Sequence, residues 1–135
     1  MEKDGKKWAF TLVEMMAVIL VVGVLAAVAI PIVRSRTEQA KWSEAAAAAG
    51  SIRAAMRAYH AEDSAGAAAM VGSTVDTIQV ALGFASGDLA GRYFQADNFT
   101  ITNVDGNGNA TITVAAPAGL TGSAILSDAG WVYSP

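Results

Sequence analysis

The feature that most constrains this chain is an apolar run near its N-terminus, FTLVEMMAVILVVGVLAAVAIP, which extends from Phe10 to Pro31. From Met15 to Val33 no charged residue interrupts 19 consecutive positions. An α-helix needs roughly 20 apolar residues to cross the hydrocarbon core of a bilayer, so the run predicts a membrane-spanning helix. Glu14 stands at its start, and a carboxylate within such a helix is costly and tends to mark function.

The rest of the 135-residue chain is polar enough to form one soluble head of about 100 residues with a modest core. The sequence has no cysteine, which excludes a disulfide framework and a thiolate metal site. Beyond Arg57 the chain contains several aspartates but a single lysine or arginine, Arg92. Because binding of polyanions needs clustered lysine and arginine, nucleic-acid binding is not predicted.

A second helical stretch is predicted for residues 34–62. Its apolar residues recur at spacings of three or four and therefore share one face; they are Trp42, Ala45, Ala49, Ile52, Met56 and Tyr59. This amphipathic half of the long helix is expected to carry the head, while the half before it, residues 10–33, is the hydrophobic membrane-spanning part.

The head, residues 63–135, is predicted to end in a small antiparallel sheet. A loop is expected over Ser64–Thr74 and a short helix over Thr74–Leu82. Alternating patterns predict three strands, and Asp105–Asn109 is rich in turn residues and joins the first two as a hairpin; the strands are Asn98–Thr102, Ala110–Val114 and Gly130–Tyr133. A long helix packed on such a sheet is an α+β fold.

No catalytic site, metal site or cofactor is predicted. His60 is the single histidine, and a triad or zinc site cannot be built from it alone. The DGNGN stretch resembles the opening of an EF-hand loop, but Ala110 occupies the position of its sharp-turn glycine and Ala116 that of its bidentate glutamate. A hairpin turn is the better interpretation, and the chain is not expected to be an enzyme.

The stretch KKWAFTLVEMMAVILVVGVLAAVAIP resembles the N-terminal signature of type IV pilins and the related pseudopilins. In that family a short basic leader precedes a cleavage site, which is followed by Phe-Thr-Leu-[Ile/Val]-Glu and an apolar helix. A proline falls 22 residues into the mature chain. Here Phe10 would become the N-terminus, Glu14 would be fifth and Pro31 would take the proline position. The family normally has glycine before the cut, where this chain has Ala9.

The resemblance implies roles for particular residues. A prepilin peptidase would cut between Ala9 and Phe10, removing residues 1–9 as a cytoplasmic leader, and the new amine of Phe10 would be N-methylated. Glu14 and Thr11 would act in subunit assembly, with the carboxylate of Glu14 meeting the amine of a neighbouring subunit. The helix would loosen or break in the filament at the remaining two positions of the signature, Gly23 and Pro31.

The function that the resemblance implies is that of a major pilin, the structural subunit of a homopolymeric helical filament. Its partners would be the peptidase, an inner-membrane platform protein and an assembly ATPase. The chain would lie in the inner membrane before assembly and in an extracellular pilus afterwards, serving motility, adhesion, secretion or DNA uptake. A pseudopilin of a type II secretion system remains open. So do a membrane-anchored binding or adhesion module that keeps its leader, and an exported protein cut after Ala29.

Overall fold

The computed structural model describes residues 10–135 and has the α+β fold that the sequence predicts. The proposed leader, residues 1–9, lies outside the described residues. In chain order the elements are α1 (Leu12–Glu62), α2 (Ser64–Ala69), α3 (Val75–Ile78), a 3-10 turn (Ala96–Asn98), β1 (Phe99–Val104), β2 (Ala110–Ala115), β3 (Ser123–Ser127) and β4 (Gly130–Ser134). Residues up to Thr37 and residues from Glu38 to Pro135 form separate compact units.

The first unit contains the apolar part of α1. This helix is long and apolar enough to cross a membrane, and none of its most apolar 18-residue window is buried. Every side chain from Phe10 to Val33 is exposed except the half-buried Ala26. An apolar surface of this extent marks a site for lipid or for another protein.

The second unit is organised by the amphipathic half of α1. This half is rich in alanine, the strongest helix former, and it buries the face that the spacing of apolar residues predicts. Trp42, Ala45, Ala49, Ile52 and Met56 are buried and Tyr59 is half-buried. They share one core cluster with the inward residues of the sheet, among them Phe99, Ile101, Ile112 and Val114. The predicted packing of helix on sheet is therefore confirmed.

The segment between α1 and the sheet differs from the prediction. Ser64–Thr74 is not simply a loop, because its first six residues form α2. The carboxylate of Asp63 caps this helix by accepting a hydrogen bond from the N–H of Gly66 at 2.8 Å. The helix expected over Thr74–Leu82 is shorter: α3 ends at Ile78 and gives way to turns.

The sheet is fully antiparallel, with the strand order β1-β2-β3-β4. The register pairs Ile101 with Ile112 and Phe99 with Val114, and a bulge follows Ile101 in β1. The three predicted strands are confirmed, with β1 and β2 joined by the predicted hairpin. The sequence prediction missed β3, which pairs with both β2 and β4.

Candidate functional site at the start of the long helix

The residues that begin α1 form a closed network of hydrogen bonds. Thr11 directly precedes the first helical residue, and its carbonyl accepts the first helical bond from the N–H of Met15 at 3.2 Å. The Thr11 hydroxyl accepts from the N–H of Glu14 at 3.2 Å and donates to Oε2 of Glu14 at 2.9 Å. The same Oε2 accepts from the N–H of Thr11 at 2.8 Å. This is the reciprocal arrangement of a capping box.

The network gives Glu14 a local structural role that the sequence analysis did not assign. The spacing Thr-x-x-Glu is the sequence signature of a capping box, so the signal is present in Thr11-Leu-Val-Glu14. The four N–H groups of a helix start lack partners within the helix. Here these groups belong to Thr11, Leu12, Val13 and Glu14, because the N–H of Met15 makes the first helical bond. The network satisfies two of the four, since Glu14 accepts from the N–H of Thr11 and the Thr11 hydroxyl accepts from the N–H of Glu14.

The carboxylate of Glu14 keeps capacity for a further partner. Both of its hydrogen bonds go to Oε2, and within residues 10–135 no group donates to Oε1. The side chain is exposed. A cation delivered from outside the chain therefore has a free acceptor oxygen, at the edge of the apolar surface.

Phe10 lies next to this network, outside the helix. Its side chain is 76% exposed, and the helix begins two residues later. The structure thus brings Phe10, Thr11 and Glu14 together at the start of α1. Ala9, on the other side of the expected cut, lies outside the described residues. Cleavage and N-methylation stay predictions.

The remaining two residues of the signature, Gly23 and Pro31, lie inside an unbroken helix. A Cβ added at Gly23 would meet nothing within 4 Å. Pro31 has no N–H to donate to the carbonyl four residues earlier, that of Ala27, so the helix lacks one bond at this place. The single chain shows no break here, and the break on assembly into a filament stays a prediction.

The head carries its own network on the amphipathic half of α1. Oε1 of Glu44 accepts hydrogen bonds from the N–H groups of Tyr93 at 2.9 Å and Phe94 at 3.0 Å. Partial burial of the carboxylate acts to raise the pKa of Glu44. The N–H groups of Phe94, Tyr93 and Arg92 outweigh it and lower that pKa below its usual range. Glu44 therefore fastens an irregular loop to the helix.

Two arginines of α1 reach the hairpin turns. Arg53 donates to the carbonyl oxygen of Ser127 at 2.9 Å and forms an ion pair with Asp128 in the β3–β4 turn. Arg57 donates through Nε to Oδ1 of Asn109 in the β1–β2 turn. These contacts join the β1–β2 turn and the β3–β4 turn to one helix.

The DGNGN segment is a hairpin turn organised by Asp105. Its Oδ1 accepts from the N–H of Asn107 at 2.9 Å and of Asn109 at 2.7 Å, while Oδ2 accepts from the side chain of Asn109 at 2.9 Å. The side-chain and backbone bonds from Asn109 lower the pKa of Asp105. Over residues 10–135, no cluster of three or more histidine, aspartate or glutamate side chains is arranged to hold a metal ion.

Comparison with known proteins gave no match: no family model fits the chain, and neither the curated proteins nor the solved structures contain a significant relative.

Proposed function

We propose that this chain is the structural subunit, a major pilin, of a type IV pilus-like filament. The observation that carries the proposal is the site at the start of α1. There a carboxylate whose Oε1 has no donor within residues 10–135 borders an apolar helical surface that no other part of the described chain covers. An apolar surface of this length needs lipid or neighbouring helices around it. In the proposed cycle lipid surrounds this surface while the chain is in the inner membrane, and neighbouring helices surround it in the core of the filament.

Leader removal provides the partner for Glu14. A prepilin peptidase cuts between Ala9 and Phe10, and the new α-amine of Phe10 is largely cationic at neutral pH. In the filament this amine meets Glu14 of a neighbouring subunit. A buried carboxylate without a partner is costly whereas a paired one is tolerated, so only one axial position of the subunit relieves the cost. The pair therefore sets the register of assembly.

The rest of the cycle belongs to the partners. The processed subunit waits in the inner membrane, and a platform protein and an assembly ATPase move it into the extracellular filament. The α+β head then lies outside the helical core. This chain provides the contacts that set the register of the filament, while the ATPase provides the energy for assembly.

The first test is the N-terminal residue and the mass of the protein sheared from the cell surface. We expect the chain to start at Phe10, with or without a methyl group on its amine. An intact Met1, found only in the membrane fraction, would contradict the proposal. That result would favour an anchored binding module, which keeps its leader.

A further inference from the structure

Charged residues bound the apolar part of α1 at both ends. Glu14 lies at one end. At the other end Arg34 directly follows Val33, the last residue of the charge-free stretch, and Arg36 lies two positions further on. The helix is continuous between them, so Arg34, which lies twenty positions after Glu14, is roughly 30 Å from it at a rise of 1.5 Å per residue. The hydrocarbon core of a bilayer is also about 30 Å thick. The two charged positions are therefore one hydrocarbon thickness apart.

The two arginines are free to engage lipid. Both side chains are exposed. Within residues 10–135 the one ion pair joins Arg53 to Asp128, and no side-chain hydrogen bond involves Arg34 or Arg36. Two residues apart on a helix, they point to nearly opposite sides at almost the same height. Their apolar stems can lie along the hydrocarbon while the guanidinium groups reach the headgroups.

We propose that Arg34 and Arg36 bind phospholipid phosphates at the far face of the membrane and thereby hold Glu14 at the near boundary of the hydrocarbon. The inference rests on the membrane-inserted stage of the proposed function and names the lipid headgroup as a partner of that stage. A guanidinium suits phosphate because its planar fork of N–H donors forms paired hydrogen bonds with phosphate oxygens.

The charged residues at the two ends of the apolar part of α1 oppose its movement in both directions along the membrane normal. Sliding α1 toward the near face would draw Arg34 into the hydrocarbon, and sliding it toward the far face would draw in Glu14. Charged side chains are strongly disfavoured there, so each end opposes one direction of movement. Phe10, which precedes the helix, then lies on the headgroup side of Glu14. Arg34 and Arg36 are thus positioning residues for the start of the helix.

The depth of the helix can be measured on the full chain in vesicles. Because the sequence has no cysteine, Leu12→Cys introduces a single labelling site, and this side chain is 78% exposed. The label is an environment-sensitive fluorophore. The vesicles contain phosphatidylcholine with a minority of anionic phosphatidylglycerol, because an anionic surface attracts basic residues near the membrane. Nitroxide lipids at graded depths quench the fluorophore and report its distance from the bilayer centre.

The informative variant is Arg34→Leu with Arg36→Leu. It extends the charge-free stretch from Met15–Val33 to Met15–Thr37, so the centre of the stretch moves by two residues. We expect the label to move about 3 Å away from the bilayer centre. Arg34→Lys with Arg36→Lys keeps the cations, and Ser35→Leu adds apolar surface at the same place without removing charge. Both controls should keep the depth of the parent chain.

A doubly leucine-substituted chain whose label stays at the parent depth would overturn the inference. A label that no nitroxide lipid quenches would show that the helix is not inserted, and the inference would fail together with the membrane stage of the proposed function. Absence of filaments from cells, with label depths as expected, would count against the filament proposal alone.

Discussion

Two glutamates of α1 differ in what their carboxylates hold. Glu14 binds Thr11, three residues away within the same turn. Glu44 binds the N–H groups of Tyr93 and Phe94, about fifty positions along the chain. The first contact is local and, among residues 10–135, leaves Oε1 of Glu14 without a donor, whereas the second closes a long loop. We therefore expect substitution of Glu14 to affect assembly and substitution of Glu44 to affect the stability of the head.

Replacing Glu14 by alanine should abolish filaments, because the amine of the neighbouring subunit would be buried without a counter-charge. Glu38→Ala is the matched control, since Glu38 is an exposed carboxylate on the same helix beyond the apolar part. Sheared surface protein is measured for both variants against the level in whole cells. Normal filament yield from Glu14→Ala would contradict the role of this carboxylate in register.

The Thr11 hydroxyl should stabilise the first turn of α1. Thr11→Val keeps the shape of the side chain but removes the hydroxyl that both accepts from and donates to Glu14. Thr11→Ser retains it and serves as the control. The N–H groups of Glu14 and Met15 donate to Thr11. In detergent micelles their amide hydrogen exchange should be several-fold faster in the valine variant, because an uncapped helix end frays. Equal exchange in both variants would show that the network contributes nothing to the helix start.

The contact of Glu44 with its loop should make the head less stable in acid. Since the folded pKa of Glu44 lies below its usual value of 4.5, the unfolded chain binds the proton more readily. The stabilisation is therefore complete above the unfolded value and is lost as the pH falls through the folded one. Glu44→Gln should lower the Tm at pH 7 and flatten its decline between pH 7 and pH 3. An unchanged slope of Tm against pH would exclude Glu44 as a contributor.

Among the elements, the amphipathic half of α1 should dominate the stability of the head. Ile52 is fully buried in the core cluster, whereas Ile125 on β3 is 43% exposed. Ile52→Ala leaves a cavity, and we expect it to lower the free energy of unfolding by about 2–5 kcal/mol. Ile125→Ala removes the same atoms from a partly exposed site and should cost less than half as much. Urea denaturation of the full chain in detergent compares the two.

Long and regular patterns allowed the sequence to predict most elements. The buried face of α1 and the strands around Ile101 and Ile112 follow from the periodicity of their apolar residues. The strand β3 was missed because Ser-Ala-Ile-Leu-Ser is short and has only two large apolar residues. The helix α2 was missed because small residues and Gly66 indicate a loop, while its cap, Asp63, belongs to the preceding residues.

The candidate site could be predicted only in part. The motif identified Phe10, Thr11 and Glu14, but the closed hydrogen-bond network between the last two depends on the rotamers of both side chains. The contact of Glu44 with Tyr93 has no sequence signal, because the loop that supplies the N–H groups has no periodic pattern. Contacts between distant irregular segments are set by tertiary packing, which local patterns do not encode.

On the scale of the whole molecule, the exposed apolar surface and the buried hydrophobic core lie in different parts of the chain. Every buried hydrophobic side chain of the described residues lies between Trp42 and Ala124, within the second compact unit. The large apolar side chains from Phe10 to Val33 are all exposed. In the proposed cycle the apolar surface of residues 10–33 contacts lipid first and neighbouring subunits later. The head buries its own core and needs neither of them to do so.

This separation predicts that residues 38–135 fold without the apolar helix. The fragment retains the amphipathic half of α1, the whole sheet and the complete core cluster. It should therefore be soluble without detergent and monomeric by light scattering. It should unfold in one cooperative transition. The packed contacts of Trp42 with Phe94 and Tyr133 should give the folded fragment a near-UV circular dichroism signal. Because it lacks Glu14 and the apolar surface, it should not enter filaments. Aggregation, or loss of the near-UV signal, would show that the head depends on the preceding helix. The first 37 residues would then be needed for folding as well as for membrane residence and assembly.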